Sequence, residues 1–463
     1  MPQQPSSPTT HQSPATDKPQ VPEHLHPLFS QQGVRDVECI FPDISGYPRG
    51  KLMPAASFLA GTELRICQAI PMQAVTGEYS YHPVFPHADP DVQLLPDYGR
   101  VSLAPWASVP RAVAIHDCVE PNGELCQFAP RSILKNVLAR YAALGLTPVV
   151  APEIELYLTA ANADPAQALQ APAVRGGRAE VGQSAFSLNM LNALAPFWNE
   201  FRDACDTLGI AADTWIHEVG ASQYEINLMH GDAVAVADQA FLFKYAAREI
   251  ALKHGLNAVF MAKPIADSAG SSMHLHISVV DTQGHNVFSL ADGRESECFK
   301  QFIAGLQTNG PDLMLMFAPN VNSYRRYVSG SQAPVNLHWG HDNRTAGLRI
   351  PHSGPAARRV ENRVAGSDAN PYLAIAASLA AGLQGIQAQL APSEPLSSNG
   401  YDEAHSLPRS MDAAVQKMQH SSMARTLLGD DFVTGYCAVK ALELASFQRE
   451  ISAWERRFLL PQV

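Results

Sequence analysis

One eight-residue stretch constrains the chain more than any other: Ala151-Pro152-Glu153-Ile154-Glu155-Leu156-Tyr157-Leu158, where two carboxylates sit two residues apart among apolar side chains. Side chains of a β-strand alternate between faces, so Glu153, Glu155 and Tyr157 share one side and Ile154, Leu156 and Leu158 the other. The apolar side requires a core to cover it. The acidic side requires water or a cation, because neighbouring buried carboxylates repel and resist ionising together. A solvated edge strand would satisfy a lone Glu-x-Glu, and a divalent metal ion would satisfy one that is joined by further ligands.

The pattern recurs. In Gln223-Tyr224-Glu225-Ile226-Asn227-Leu228 the residues Gln223, Glu225 and Asn227 fall on one face. In Ser272-Met273-His274-Leu275-His276-Ile277-Ser278, His274, His276 and Ser278 do the same, and so do Arg359, Glu361 and Arg363 in Arg359-Val360-Glu361-Asn362-Arg363. Four strands with one chemically rich side each predict a curved sheet enclosing a polar site. Hard divalent cations prefer carboxylate oxygens supplemented by neutral imidazole, and Glu153, Glu155, Glu218, Glu225, Glu361 and one of the two histidines can supply such a shell. Arg325, Arg326, Arg344, Arg349, Arg359 and Arg363 form a second group. The run Asn343-Arg344-Thr345-Ala346-Gly347-Leu348-Arg349-Ile350-Pro351 sets two of them in an apolar, glycine-containing context, where planar guanidinium forks hold phosphate or carboxylate. Acids for a metal and arginines for phosphate together predict phosphoryl transfer.

Composition narrows the class. The chain of 463 residues, 46% hydrophobic and only 17% charged, has ample apolar surface for a large core. Its net charge of −11 and lack of a basic run argue against a nucleic-acid partner. The seven cysteines never form a Cys-x-x-Cys pair, which argues for a reducing, cytoplasmic setting and against a disulfide framework or structural zinc. Residues 1–21, rich in Pro, Gln, Ser and Thr, predict a disordered tail. Residues 35–119 carry short apolar runs broken by Pro and Gly, among them 37–41, 92–95, a break at Pro96-Asp97, 101–103 and 112–115, which predict a small strand-rich domain. Helices are predicted over 131–144, Ala195–Leu208 and 233–254, and 160–181 is a polar insertion. Residues 369–393 contain no charge, yet are Ala-rich and interrupted by Asn and Gln. They predict a buried helix capped by Asn370-Pro371 and no membrane span.

Several motifs now stand in one order: Pro152-Glu153-x-Glu155; His217-Glu218 before Gln223-Tyr224-Glu225; Lys263-Pro264 before Gly270-Ser271-Ser272-Met273-His274-x-His276; Asn343-Arg344 before Arg349-Ile350-Pro351; and Arg359-x-Glu361-x-Arg363 before Asn370-Pro371-Tyr372. This set resembles the glutamine synthetase family, collinearly from about Arg35 to the C-terminus. The resemblance implies an α+β chain with a small β-grasp-like N-terminal domain (22–124) and a catalytic domain (125–463) built on a curved antiparallel sheet with flanking helices. It implies a dodecamer of two stacked hexameric rings, and as substrates glutamate, ATP and an amine. It also implies two or three Mg2+ or Mn2+ ions per site. Glu155, Glu218 and Glu225 then correspond to ligands of the metal on the glutamate side, and Glu153, His274 and Glu361 to those of the metal that places the ATP phosphates. Arg326 and Arg363, with Gly270 and His274, correspond to glutamate contacts. Arg344 and Arg349 correspond to residues that stabilise the transferring phosphoryl group. Arg359, His276 and Ser278, with Arg344, correspond to the nucleotide side.

Two departures from the family pattern fall on the ammonium site, and a third, Ala269, falls on the glutamate side. Where ammonia-using members carry a glutamate on a mobile flap, this chain has Gln332, in Ser329-Gly330-Ser331-Gln332-Ala333-Pro334-Val335. An amide hydrogen-bonds but neither attracts ammonium by charge nor takes its proton. The family's second ammonium-site acid has no counterpart in Ala69-Ile70-Pro71-Met72-Gln73-Ala74-Val75-Thr76, and Ala269 replaces an Asn that contacts glutamate. This selective loss resembles the branch that joins glutamate to polyamines or monoamines. An ammonia-using glutamine synthetase is the alternative reading.

Overall fold

The structure is a computed structural model that describes residues 21–174 and 176–463. The expected disordered tail therefore lies outside the described residues, apart from Val21. The first sheet has five strands, β1 (Asp36–Pro42), β2 (Pro48–Pro54), β3 (Leu64–Cys67), β4 (Asp91–Leu103) and β5 (Arg111–Val119), in the order β2-β1-β5-β4-β3. All neighbours are antiparallel except β1 and β5, which run parallel. The predicted break at Pro96-Asp97 is not a break. β4 continues through it with a shift of register between Pro96 and Val101. β3 pairs only with 91–94, so the missing N–H of Pro96 falls where β4 has no partner on that side, and a bulge absorbs the rest.

The second sheet carries β6 (Leu146–Ala160), β7 (Ala212–His217), β8 (Gln223–Leu228), β9 (Gly231–Asp232), β10 (Leu256–Val259), β11 (Met273–Asp281), β12 (Trp339–His341), β13 (Leu348–Ile350) and β14 (Val360–Asn362). Its order is β12-β13-β14-β11-β6-β8-β7, with β9 and β10 also pairing to β6. It is antiparallel apart from the parallel β12–β13 pair. The strand that opened the sequence reading is thus its centre. The four strands with a chemically rich face are four consecutive neighbours, β14-β11-β6-β8.

The apolar face of β6 explains its place. Ile154, Leu156 and Leu158 are fully buried, each side chain contributing about 1.5–3 kcal/mol by leaving water. The helices Pro130–Ala142 and Ala233–Lys253 pack on β6, and the first also packs on the helix Pro371–Gln387. The predicted helices 131–144 and 233–254 are therefore present with ends moved by a residue or two, and Ala195–Leu208 is present with the predicted ends. The uncharged helix Pro371–Gln387 is buried along nearly its whole length. Its cap is the predicted one, the Asn370 side chain accepting the N–H groups of Tyr372 and Leu373. No helix of the described residues is long and apolar enough to cross a membrane.

Candidate active site

Strand register gathers the polar residues, because residues directly opposite across a ladder point to the same side of the sheet. Glu153 stands opposite His274 on β11 and Asn227 on β8, and Glu155 stands opposite Glu225. Farther along, His276 faces Glu361, and Glu361 faces Arg349. A slip of one residue in β6 would send both glutamates into the core.

The two glutamates of β6 have different surroundings. Glu153 accepts hydrogen bonds from both histidines, at 3.2 Å from His274 Nδ1 and 2.7 Å from His276 Nε2. Arg359 Nε donates to His276 Nδ1 at 3.1 Å, so the proton of the neutral ring sits on Nε2, facing Glu153. Glu361 is gripped by Arg349 at 2.7 Å and Arg363 at 2.5 Å, with His274 Nδ1 3.6 Å away. Burial opposes ionisation of Glu153, but the histidine hydrogen bonds overcome it and hold the carboxyl far below the usual range. Burial also opposes ionisation of Glu361, whose carboxyl is nonetheless held at about 2 by His274 and Arg363, both cationic at that pH.

Glu155 has only uncharged hydrogen-bond partners. Its oxygens accept from Ser272 Oγ at 2.7 Å, Ser272 N–H at 2.8 Å and Gln223 Nε2 at 3.4 Å. Burial and the charge of Glu218 push its carboxyl up to about 7. Burial and the nearby Glu155, Glu153 and Glu218 push Glu225 up to about 9, and burial raises Glu218 as well. Three acids facing one another, with Arg326 acting on Glu155 and Arg344 on Glu218 without overcoming burial, are what a divalent cation would neutralise. Two groups offer ligand atoms within 4.8 Å of one another: Glu153, His274 and Glu361, and Glu155, Glu225 and His274. The first is the predicted trio. In the second His274 takes the place predicted for Glu218, which lies close enough to influence Glu155 but outside the cluster.

The remaining candidates surround this array. His276, Ser278 and Arg359 line, with Glu153 and Asn227, a cavity of about 380 Å³. Arg326 and Arg363 are 2% and 5% exposed, and Arg326 donates to Val364 O. Gly270 packs so closely that a Cβ would come within 2.5 Å of Arg326 Cγ and 2.8 Å of Ala262 O, so no larger residue fits there. Arg349 also grips Asp342 at 2.5 Å. Arg344 lines a neighbouring surface hollow with Asp342 and Asn343, and its charge reaches Glu218. Gln332 lies on the irregular loop between Arg325 and Trp339 at φ +63°, a left-handed conformation costly for a residue with a Cβ.

Sequence reasoning missed two contributors. Glu180, in the stretch read as a polar insertion, is buried against His217, with Oε1 3.0 Å from Nε2, and accepts the Ser222 N–H at 3.0 Å. The backbone of 183–186 then bonds to Val219 and His217, so this segment backs Glu218. Tyr157, on the acidic face of β6, donates to Ala269 O at 2.8 Å and pins the turn before Gly270. The strand alternation already placed Tyr157 on this face, whereas nothing periodic marks Glu180.

A curved, mostly antiparallel sheet lined by two acid–histidine ligand groups and a ring of arginines is suited to holding divalent metal beside phosphate or carboxylate groups, as a metal-dependent ligase requires. Residues 127–459 match the catalytic domain of glutamine synthetase, and the chain belongs to the glutamine synthetase family. It is 35% identical over 377 residues to a glutamate–isopropylamine ligase of a Pseudomonas species, spanning 79% of this chain and 80% of that one. It is 36% identical over 441 residues to the gamma-glutamylputrescine synthetase PuuA of Escherichia coli K12, spanning 92% and 91%. Glutamine synthetases also match, at 32% identity. Among solved structures, a complex of GmaS with ADP superposes with a TM-score of 0.80 at 28% identity, covering 94% of this chain and 98% of that one. The family uses ATP and a divalent metal, and the two ligand groups described above fit the metal.

Proposed function

We propose that this chain joins the γ-carboxylate of glutamate to a small organic amine, a monoamine or polyamine, at the expense of ATP. The observation that carries the reading is Gln332: a neutral amide stands where ammonia-using members of the family carry a glutamate, while the acid and arginine motifs are intact. Ammonium requires negative charge to hold it and a base to take its proton, and an amide offers neither. An amine with a carbon chain gains affinity from apolar contact and depends less on that charge. The names of the two curated relatives described above, both amine ligases, support the same reading.

In this mechanism Arg326 and Arg363 hold the glutamate carboxylate, with Gly270 leaving room for it. His276, Ser278 and Arg359 line the nucleotide side. Glu153, His274 and Glu361 would hold one metal ion and Glu155, Glu218 and Glu225 another, supplying the positive charge that lets a carboxylate approach a phosphate. A γ-carboxylate oxygen attacks the terminal phosphorus, ADP leaves, and Arg344 and Arg349 stabilise the charge on the transferring group. The amine nitrogen then attacks the acyl carbon of γ-glutamyl phosphate, phosphate departs, and the nitrogen loses its extra proton to solvent. Gln332 accepts one amine N–H and orients the lone pair. The proposed assembly is two stacked hexameric rings, and light scattering tests it; the exposed Trp454 and Leu460 near the C-terminus, 61% and 79% accessible, are surfaces such an assembly would cover.

The test is phosphate release with glutamate and ATP over a panel of putrescine, ethanolamine, short alkylamines and ammonium. At least one organic amine should exceed ammonium in kcat/KM by about tenfold or more, a difference of about 1.4 kcal/mol. Strong ammonium turnover with none for the organic amines would establish the alternative, an ammonia-using glutamine synthetase.

A further inference from the structure

Beside the arginine pair lies a tyrosine that neither the motifs nor the mechanism above uses. Tyr401 sits in a short 3-10 turn, Gly400–Asp402, held from both sides. The Asn399 side chain accepts the Tyr401 N–H at 3.1 Å, Gly400 N–H donates to Thr345 Oγ1 at 2.7 Å, and Asn336 Nδ2 donates to Gly400 O at 2.8 Å. Gly400 packs so tightly that a Cβ would lie 2.4 Å from Thr345 O. A few residues on, Ser406 N–H donates to Val335 O at 3.1 Å, so the segment carrying Tyr401 lies along the loop that carries Gln332. The turn is positioned too firmly for its side chain to be incidental.

The phenol ring is partly covered, but its hydroxyl is fully buried and has no hydrogen-bond partner. Two other buried donors are in the same state, Arg326 Nε and Arg363 Nε. Arg326 Nη2 donates to the Arg363 and Val364 carbonyls, and Arg363 N–H donates at 3.0 Å to Gly347 O, two residues from the Thr345 that holds the Tyr401 turn, so both guanidinium groups and the Gln332 backbone N–H act on the phenol. A buried polar group without a partner is unfavourable, and three such donors on adjoining residues call for a ligand with several acceptor atoms. Between two guanidinium groups that ligand is an anion with a planar pair of oxygens, a carboxylate.

We propose that Tyr401 is a third donor of the acid-substrate pocket, its O–H binding, together with Arg326 and Arg363, the carboxylate of the amino acid that is activated. This rests on the functional reading above for the identity of the acid, but not for the existence of the carboxylate subsite.

Tyr401→Phe removes one oxygen and keeps the ring. In steady-state phosphate release the variant should raise KM for glutamate about tenfold, the effect of losing one hydrogen bond to a charged group. KM for ATP and the magnesium requirement should stay within twofold, a split that general loosening of the site would not produce. In parallel, thermal-shift titration of wild type and Tyr401→Phe with L-glutamate and other amino dicarboxylates reads the subsite without turnover. Weaker carboxylate binding by the variant supports the proposal even if no amine is ever a substrate, an outcome that would sink only the functional reading. Equal carboxylate affinity in the two proteins overturns the proposal, and so does a wild type that binds no carboxylate at all.

Discussion

Two halves of one strand face behave differently. On the Glu153 side every carboxylate is answered: Glu153 by two histidines, Glu361 by two arginines. On the Glu155 side the hydrogen bonds come from Ser272 and Gln223, and burial, with repulsion from neighbouring acids, raises Glu155, Glu218 and Glu225 above the usual carboxylate range. The first half is electrostatically complete in the bare protein. The second is complete only with a cation. One sheet therefore offers a pre-ionised site beside one in which protons and metal compete for the same oxygens.

The contrast can be broken at its strongest point first. Glu155→Ala should lower phosphate release by about a thousandfold or more, since a metal contributes several kcal/mol of transition-state stabilisation. An unchanged rate would remove Glu155 from the chemistry. Glu225→Gln should also abolish most activity, but should make the metal-free protein more stable, by about 2–4 °C in Tm at pH 8.5, because it removes a charge the fold resists. A fall in Tm there would show that the three acids are not in conflict.

The third prediction concerns pH. Glu225 and Glu155 have folded-state pKa values of about 9 and about 7, above those of the unfolded chain, so the stability they contribute is present below about pH 4.5 and lost as pH rises through 7 and 9. Metal-free protein should lose their contribution over that window, and magnesium should raise Tm more at pH 8.5 than at pH 6.0. A magnesium effect independent of pH would contradict the assignment. The smallest effect is at Glu180: Glu180→Gln weakens the clasp on His217 behind Glu218 and should raise the magnesium Kd about tenfold, the scale of outer-shell changes. A Kd equal to wild type would leave Glu180 with a purely structural role.

How much of this could be read in advance depends on periodicity. The four rich strand faces were legible because alternation with a period of two is a local property of each segment, and β14-β11-β6-β8 then had to come together to bury the opposite faces. The α+β architecture and the Asn370-capped helix were legible for the same reason. That His274 offers a ligand atom to Glu155 and Glu225 as well as to Glu153 and Glu361 depends on how side chains converge across strands, which no local pattern encodes. Glu180 and Tyr401 lie in a polar loop and a short turn, where side-chain direction is set by contacts far away in sequence. At Pro96 a strong local rule predicted a break, and the absence of a neighbouring strand on that side made the rule irrelevant.

The most direct measurement of the division is the number of protons released per manganese ion bound, read by calorimetry at pH 7 in buffers of different ionisation enthalpy. Wild type and Glu153→Gln should both release protons, because the raised acids beside Glu155 must give theirs up to bind metal, while Glu155→Gln should lose most of that release and keep a second class of site. Equal proton release from all three proteins, or loss of the same class of site in both variants, would show that the strand face holds one undivided site.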